Sequence, residues 1–163
     1  MLSVFPQSGG EQGVRQTLAK MAELANGSAL DPAIRDQAAL AIAGCPRGMK
    51  PCHVQAILQW VHRKVRYVAD PTKHELLHDP RLLARAVALG KYVYGDCDDM
   101  SMYIGAMLLS VGLHPSFRAV GYNHKPLSHV YVVCEGMKLD AARDLWNPGL
   151  NLHTETSAIE LPV

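Results

Sequence analysis

One cysteine in this chain sits where a thiol is hard to ionise. It is Cys97, in the run Tyr94-Gly95-Asp96-Cys97-Asp98-Asp99-Met100-Ser101. Carboxylates beside a thiol disfavour a second negative charge and raise its pKa. An apolar run from Cys97 to Val111, with Met100, Tyr103, Ile104, Met107 and Leu108, predicts a buried helix that begins at the cysteine. The free amides and dipole of a helix start favour an anion by about 0.3–1 kcal/mol when exposed and up to ~2 kcal/mol when partly buried. That does not outweigh Asp96, Asp98 and Asp99. A working nucleophile at Cys97 therefore needs a cationic partner, and histidine is the usual one.

Of the eight histidines, His129 heads a strand that an acid can reach. The segment His129–Cys134 is rich in valine, and Glu135-Gly136 reads as a two-residue turn into a strand from Met137 to Ala141. In that register Cys134 faces Met137 and His129 faces Ala142. Asp140 is then a diagonal neighbour of His129 on one sheet face. A slip of the turn to Gly136-Met137 brings Asp144 opposite His129 instead, so Asp144 is the second candidate acid. Packing that face on the start of the Cys97 helix would assemble a nucleophile, a base and an orienting acid. Cys97 would attack a carbonyl, His129 would carry the proton, and Asp140 would fix the ring's tautomer. The Cys97 backbone N–H would donate to the oxyanion. Trp60 and Tyr94 are candidates for a side-chain donor.

The elements that must position these residues are helices first and strands later. Apolar spacing predicts helices over 11–25, from Pro32 to about Ala43, from Pro51 through Val65, and from Pro80 to Leu89. Asp31-Pro32 and Asp79-Pro80 are helix-start signals, and Asn26-Gly27, Gly90 and Gly112 are stops. Leu82, Leu83, Ala86 and Leu89 are expected to form the inner face of the helix after Asp79. Ser116–Tyr122 reads as a strand, and the tail from Trp146 reads as irregular. The order predicts an α+β class: a central buried helix carrying the cysteine, packed on a small antiparallel sheet.

The chain's 163 residues suit a single domain, here a helical N-terminal extension (1–50) and a core (51–145). A net charge of +1 without a basic block points away from nucleic-acid or anionic-membrane binding. No stretch reads as a secretory signal or a membrane span, so a cytoplasmic location is expected. Cys45 and Cys52, with His53, resemble half of a zinc site that nothing completes, and they are expected to be small buried hydrophobes or loop thiols.

The GDCDD run, its apolar helix, Gly112-Leu-His-Pro, Arg118-Ala-Val-Gly-Tyr, Ser128-His-Val-Tyr-Val and Gly136-Met-Lys-Leu-Asp140 together resemble the transglutaminase-like superfamily, in particular its short bacterial and phage-type members. The similarity runs from about Pro51 to Ala142, with Asp140-Ala141 where the family often has Asp-Pro. It implies a papain-like core with Cys97, His129 and Asp140 as the triad. The chemistry implied is acyl transfer from a protein or peptide amide, through a thioester, to water or an amine. No metal and no cofactor are implied. A second expectation is a non-enzymatic binding or structural module of the same fold, acting in a phage particle or on a bacterial protein partner, which would place it in the host cytoplasm or the virion.

Overall fold

Strand β1 (Leu2–Phe5) precedes helix α1 (Glu11–Ser28). The computed structural model describes residues 2–5, 10–69, 75–142 and 154–163. Helix α1 continues through Asn26-Gly27, where a stop is expected. The Asn26 side-chain amide donates to the Ala22 carbonyl at 3.0 Å and the Ser28 hydroxyl donates to the Leu24 carbonyl at 2.6 Å, which holds the last turn. Leu18, Met21, Ala22 and Ala25 form its buried stripe. These residues belong to the same hydrophobic cluster as the rest of the fold, so residues 11–28 are part of the core rather than an appendage.

The Asp-Pro signals both operate as caps. Asp31 accepts the Ala33 N–H at 2.9 Å at the start of α2 (Pro32–Ile42). Helix α3 (Lys50–Lys64) buries Val54, Ile57, Leu58 and Val61 and runs directly into strand β2 (Val65–Tyr67). Strand β3 (Glu75–His78) leads to α4 (Pro80–Ala88), capped by Asp79 through the Arg81 N–H at 2.9 Å. Leu83 and Ala84 form the inner face of α4, whereas Leu82 is 46% and Leu89 71% exposed. The helix is short, and its rotation is set by the buried Asp79 cap and by a bond from the Gln37 side-chain amide to the Ala84 carbonyl. Gln37 also accepts from the Trp60 indole and the Tyr103 hydroxyl, so one buried polar side chain ties four helices together.

Strand β4 (Val93–Gly95) pairs in parallel with β2 and feeds α5 (Cys97–Ser110), which is buried on every side from Asp98 to Leu108. Its Gly105 is what allows this. A Cβ there would lie 3.0 Å from the Phe117 ring, tighter than most side-chain contacts, so the missing side chain lets the sheet approach α5 closely. The main sheet holds β5 (Ser116–Tyr122), β6 (His129–Cys134), β7 (Met137–Leu139) and β8 (Glu155–Pro162) in the order β7-β6-β5-β8. The three expected strands are antiparallel neighbours, with β7 ending two residues early at Leu139. Strand β8 corrects the reading of the tail as irregular. It is an edge strand with mostly exposed residues, so it lacks the apolar alternation that would announce it. Separate two-stranded pairings join β1 to β3 and β2 to β4. The class is α+β. Among the described residues, no helix is long and apolar enough to cross a membrane.

Cys45 and Cys52 form a disulfide, which corrects the expectation of separate thiols or buried hydrophobes. The turn between α2 and α3 folds back and leaves their Cα atoms 5.8 Å apart, a distance the bond needs. It also removes both sulfurs as zinc ligands.

Two predictions follow from these contacts. With a sequence separation of 7, the disulfide closes a small loop, for which the chain-entropy relation gives a stabilisation of about 2–3 kcal/mol. The Cys45→Ser/Cys52→Ser double variant should lose about that amount in a urea titration run without reductant, and an unchanged midpoint would refute it. Asp79 supplies a pH test. Burial alone would push its carboxyl up, but the hydrogen bonds and charge of Arg81 outweigh burial and hold it below the usual range. A depressed carboxyl contributes stability that is present above the unfolded value of about 3.9 and lost as pH falls below it. The denaturant midpoint of Asp79→Asn should therefore fall less steeply than wild type below about pH 4; parallel curves would rule this out.

Candidate active site

Cys97 lies at the start of α5 because Asp96 terminates β4 and caps the helix, accepting the Asp98 and Asp99 N–H groups at 3.0 and 3.2 Å. Gly95 is required just before it, since a Cβ there would sit 2.8 Å from the Asp99 Cβ. The other two acids of the run face different elements. Asp99 is fully buried and turned to β3, where it accepts the His78 N–H at 2.8 Å and pairs with His78 Nδ1 at 2.7 Å. Asp98 faces the thiol, and Cys97 Sγ donates to its Oδ1 at 3.6 Å.

These surroundings hold the thiol in its neutral form. Burial pushes the Cys97 pKa up most, and the charges of Asp98 and Asp96 push it further; a hydrogen bond from the Val130 N–H acts in the opposite direction but does not prevail. The expectation that helix start and histidine together offset the acids is therefore corrected for the resting site. Desolvation adds to the acidic field, and it depends on packing that local sequence does not contain.

The same Val130 sets the position of His129. Its N–H meets Cys97 Sγ and its carbonyl accepts from the Ser101 hydroxyl at 3.4 Å, one turn along α5. Strand β6 is thus pinned to the helix start at the residue after His129. The His129 ring stands between Tyr122 and Tyr131, with centroids at 6.2 and 6.3 Å. Its Nε2 lies 2.7 Å from Asp140 Oδ2. The Cys134↔Met137 register is the one produced by a Glu135-Gly136 turn, with both turn residues at positive φ (49 and 72°). That register makes Asp140 the diagonal neighbour. Asp144 lies outside the described residues. Asp140 is buried, and the next carbonyl, of Ala141, accepts from His62 Nδ1 at 3.0 Å, which ties the end of β7 to α3.

Cys97 and His129 open into a single cavity of about 720 Å³. Tyr67 also lines it. The parallel pairing sets Tyr67 opposite Gly95, two residues before the cysteine. Its phenol pKa is raised, first by burial and then by the nearby acids Asp96, Asp98 and Asp140, so the hydroxyl keeps its proton at neutral pH. Trp60 and Tyr94, the donors suggested by sequence, do not line the cavity. The Trp60 N–H is spent on Gln37 at 3.2 Å, and Tyr94 is 52% exposed on the outer face of β4. The sequence reading assigns no role to Tyr67, His62 or Val130. Among the described residues, no group of three or more histidines, cysteines or acids converges to hold a metal ion.

Removing the Asp98 charge should move the thiol back toward the ordinary cysteine range. In Asp98→Asn, the ultraviolet thiolate titration of Cys97 should shift to lower pH, and its iodoacetamide labelling at pH 8 should rise several-fold relative to Cys134. A titration that does not move would show that Asp98 does not act on the thiol.

Comparison of the chain with protein-family models, with curated proteins and with solved structures finds no match.

Proposed function

We propose that the chain is a cysteine-dependent acyl-transfer enzyme acting on amide bonds, with a papain-like, transglutaminase-like core. The observation that carries this reading is the His129–Asp140 pair at 2.7 Å, with His129 lining the same cavity as Cys97. The resemblance between Pro51 and Ala142 supports it independently. Because Asp140 engages Nε2, the Nδ1 atom of His129 is the one left to exchange a proton with the substrate side.

The thiol is neutral at rest, so deprotonation accompanies attack instead of preceding it. Cys97 Sγ forms a bond to the amide carbonyl carbon as its proton passes to His129. The oxyanion that develops is met by the Cys97 backbone N–H and the Tyr67 hydroxyl. Collapse breaks the C–N bond, and His129 returns the proton to the departing amine. Asp140 stabilises the imidazolium between these steps. Water or an amine then attacks the thioester and releases Cys97. The raised thiol pKa also favours a second reading, a non-enzymatic module of the same fold that acts by binding a phage or bacterial protein.

Incubation with a mixture of peptide amides and a primary amine, followed by mass spectrometry, separates the two. An acyl adduct on Cys97 is expected. It should form about 10²–10⁴-fold more slowly in His129→Ala, the usual worth of a positioned general base. No adduct on the wild-type protein, together with partner binding that survives Cys97→Ala, would overturn the enzymatic reading.

A further inference from the structure

Helix α1 lies outside the stretch that resembles a known family, yet it forms one wall of the cavity that holds Cys97. Val14, Thr17, Leu18 and Met21 line the cavity from one face of α1, at the i, i+3, i+4, i+7 spacing of a single helical stripe. Across the cavity stand Ala119 of β5 and Ile159 of β8. Leu18 and Met21 are almost fully buried, whereas Val14 and Thr17 are partly exposed and stand nearer the mouth. The charged residue that α1 adds to the cavity lining, Glu11, is exposed and paired with Arg15 at 2.9 Å. The stripe itself, Val14, Thr17, Leu18 and Met21, presents methyls, methylenes, a thioether and one hydroxyl. A charged side chain laid against it would lose hydration without gaining a partner.

We infer that α1 is the specificity wall of the site and that it takes the acyl side of the substrate, an amide or ester whose acyl group carries a bulky apolar side chain; this rests on the acyl-transfer reading. The carbonyl under attack must sit at Cys97 Sγ, so whatever is attached to it extends into the cavity or out of it. At about 720 Å³, the space falls within the range of pockets that engulf a small ligand, about 300–1,000 Å³. Strand β8 closes the far side, so a branched apolar group placed beside the nucleophile is removed from water on both flanks. Thr17 is the gatepost: it lines the cavity without belonging to the hydrophobic cluster that holds α1 in place.

The test compares two activated acyl donors that differ in one side chain, the p-nitrophenyl esters of N-acetylleucine and N-acetylglycine. Nitrophenolate release measures acylation, and mass spectrometry locates the acyl group on Cys97. The leucyl ester should acylate at least about tenfold faster than the glycyl ester, the discrimination expected from an apolar pocket. Thr17→Trp fills the mouth and should bring the leucyl-to-glycyl ratio towards one. Val14→Phe does the same from the neighbouring position and serves if the tryptophan variant melts early. Lys20→Ala, which removes an ion pair to Glu23 away from the cavity, should keep the wild-type ratio. Equal acylation of wild type by both esters, or a ratio that Thr17→Trp and Val14→Phe leave untouched, overturns the assignment of α1 and leaves acyl transfer standing. Acylation by neither ester removes the acyl-transfer reading beneath it.

Discussion

The burial of α5 is the constraint from which the rest of the molecule follows. Every residue from Asp98 to Leu108 is buried, so no side of this helix is left for solvent, and the first four helices and strand β6 are laid against it. A helix with one apolar stripe accepts a single partner; one that is apolar around its circumference needs several. Gly105 lets the Phe117 ring approach closely from the sheet. Tyr103 reaches the Gln37 junction on another side. Cys97 sits at the end of this helix that opens into the cavity, so its surroundings are set by the packing of the whole core.

The site itself is an arrangement of opposed electrostatic effects. Two acids on its own helix, together with burial, keep Cys97 protonated, and a helix start together with the Val130 N–H pulls weakly the other way. The proposed proton acceptor, His129, is carried by another element, the sheet. Val130 connects the two, since its amide touches the thiol and its carbonyl takes the Ser101 hydroxyl. His129 is the neighbouring residue on that strand and inherits its position from this clamp. The acid behind His129 is held in turn, because His62 bonds the carbonyl that follows Asp140. A nucleophile whose thiolate is costly at rest suits a site in which attack and proton transfer coincide, and it limits stray reactions of the thiol when no substrate is bound.

Much of this was legible before any coordinates. The strands Ser116–Tyr122 and His129–Cys134 and the start of α5 lie where apolar patterning places them, because alternation and buried runs leave direct marks in the residue order. The His129–Asp140 pairing was legible too, since a two-residue turn converts sequence distance into cross-strand register. Features whose cause lies far along the chain were not. Strand β8 is an exposed edge that pairs with β5. The inner face of α4 depends on the rotation set by Asp79 and Gln37. The Cys45–Cys52 bond depends on how two helices fold back on each other.

Residue order therefore accounts for the identity of the candidate triad, since a thiol at a helix start, a histidine heading a strand and an acid beyond a tight turn are all short-range features. It does not account for the protonation of the thiol, the tyrosine beside it or the wall contributed by α1. Desolvation and juxtaposition are sums over neighbours, and at Cys97 those neighbours come from α1, β2, β6 and β8. Residues so distant in sequence meet only once the core has closed around α5, which is why the same acids that look hostile in the one-dimensional reading become, in the folded chain, a cap, a strand anchor and a rein on the nucleophile.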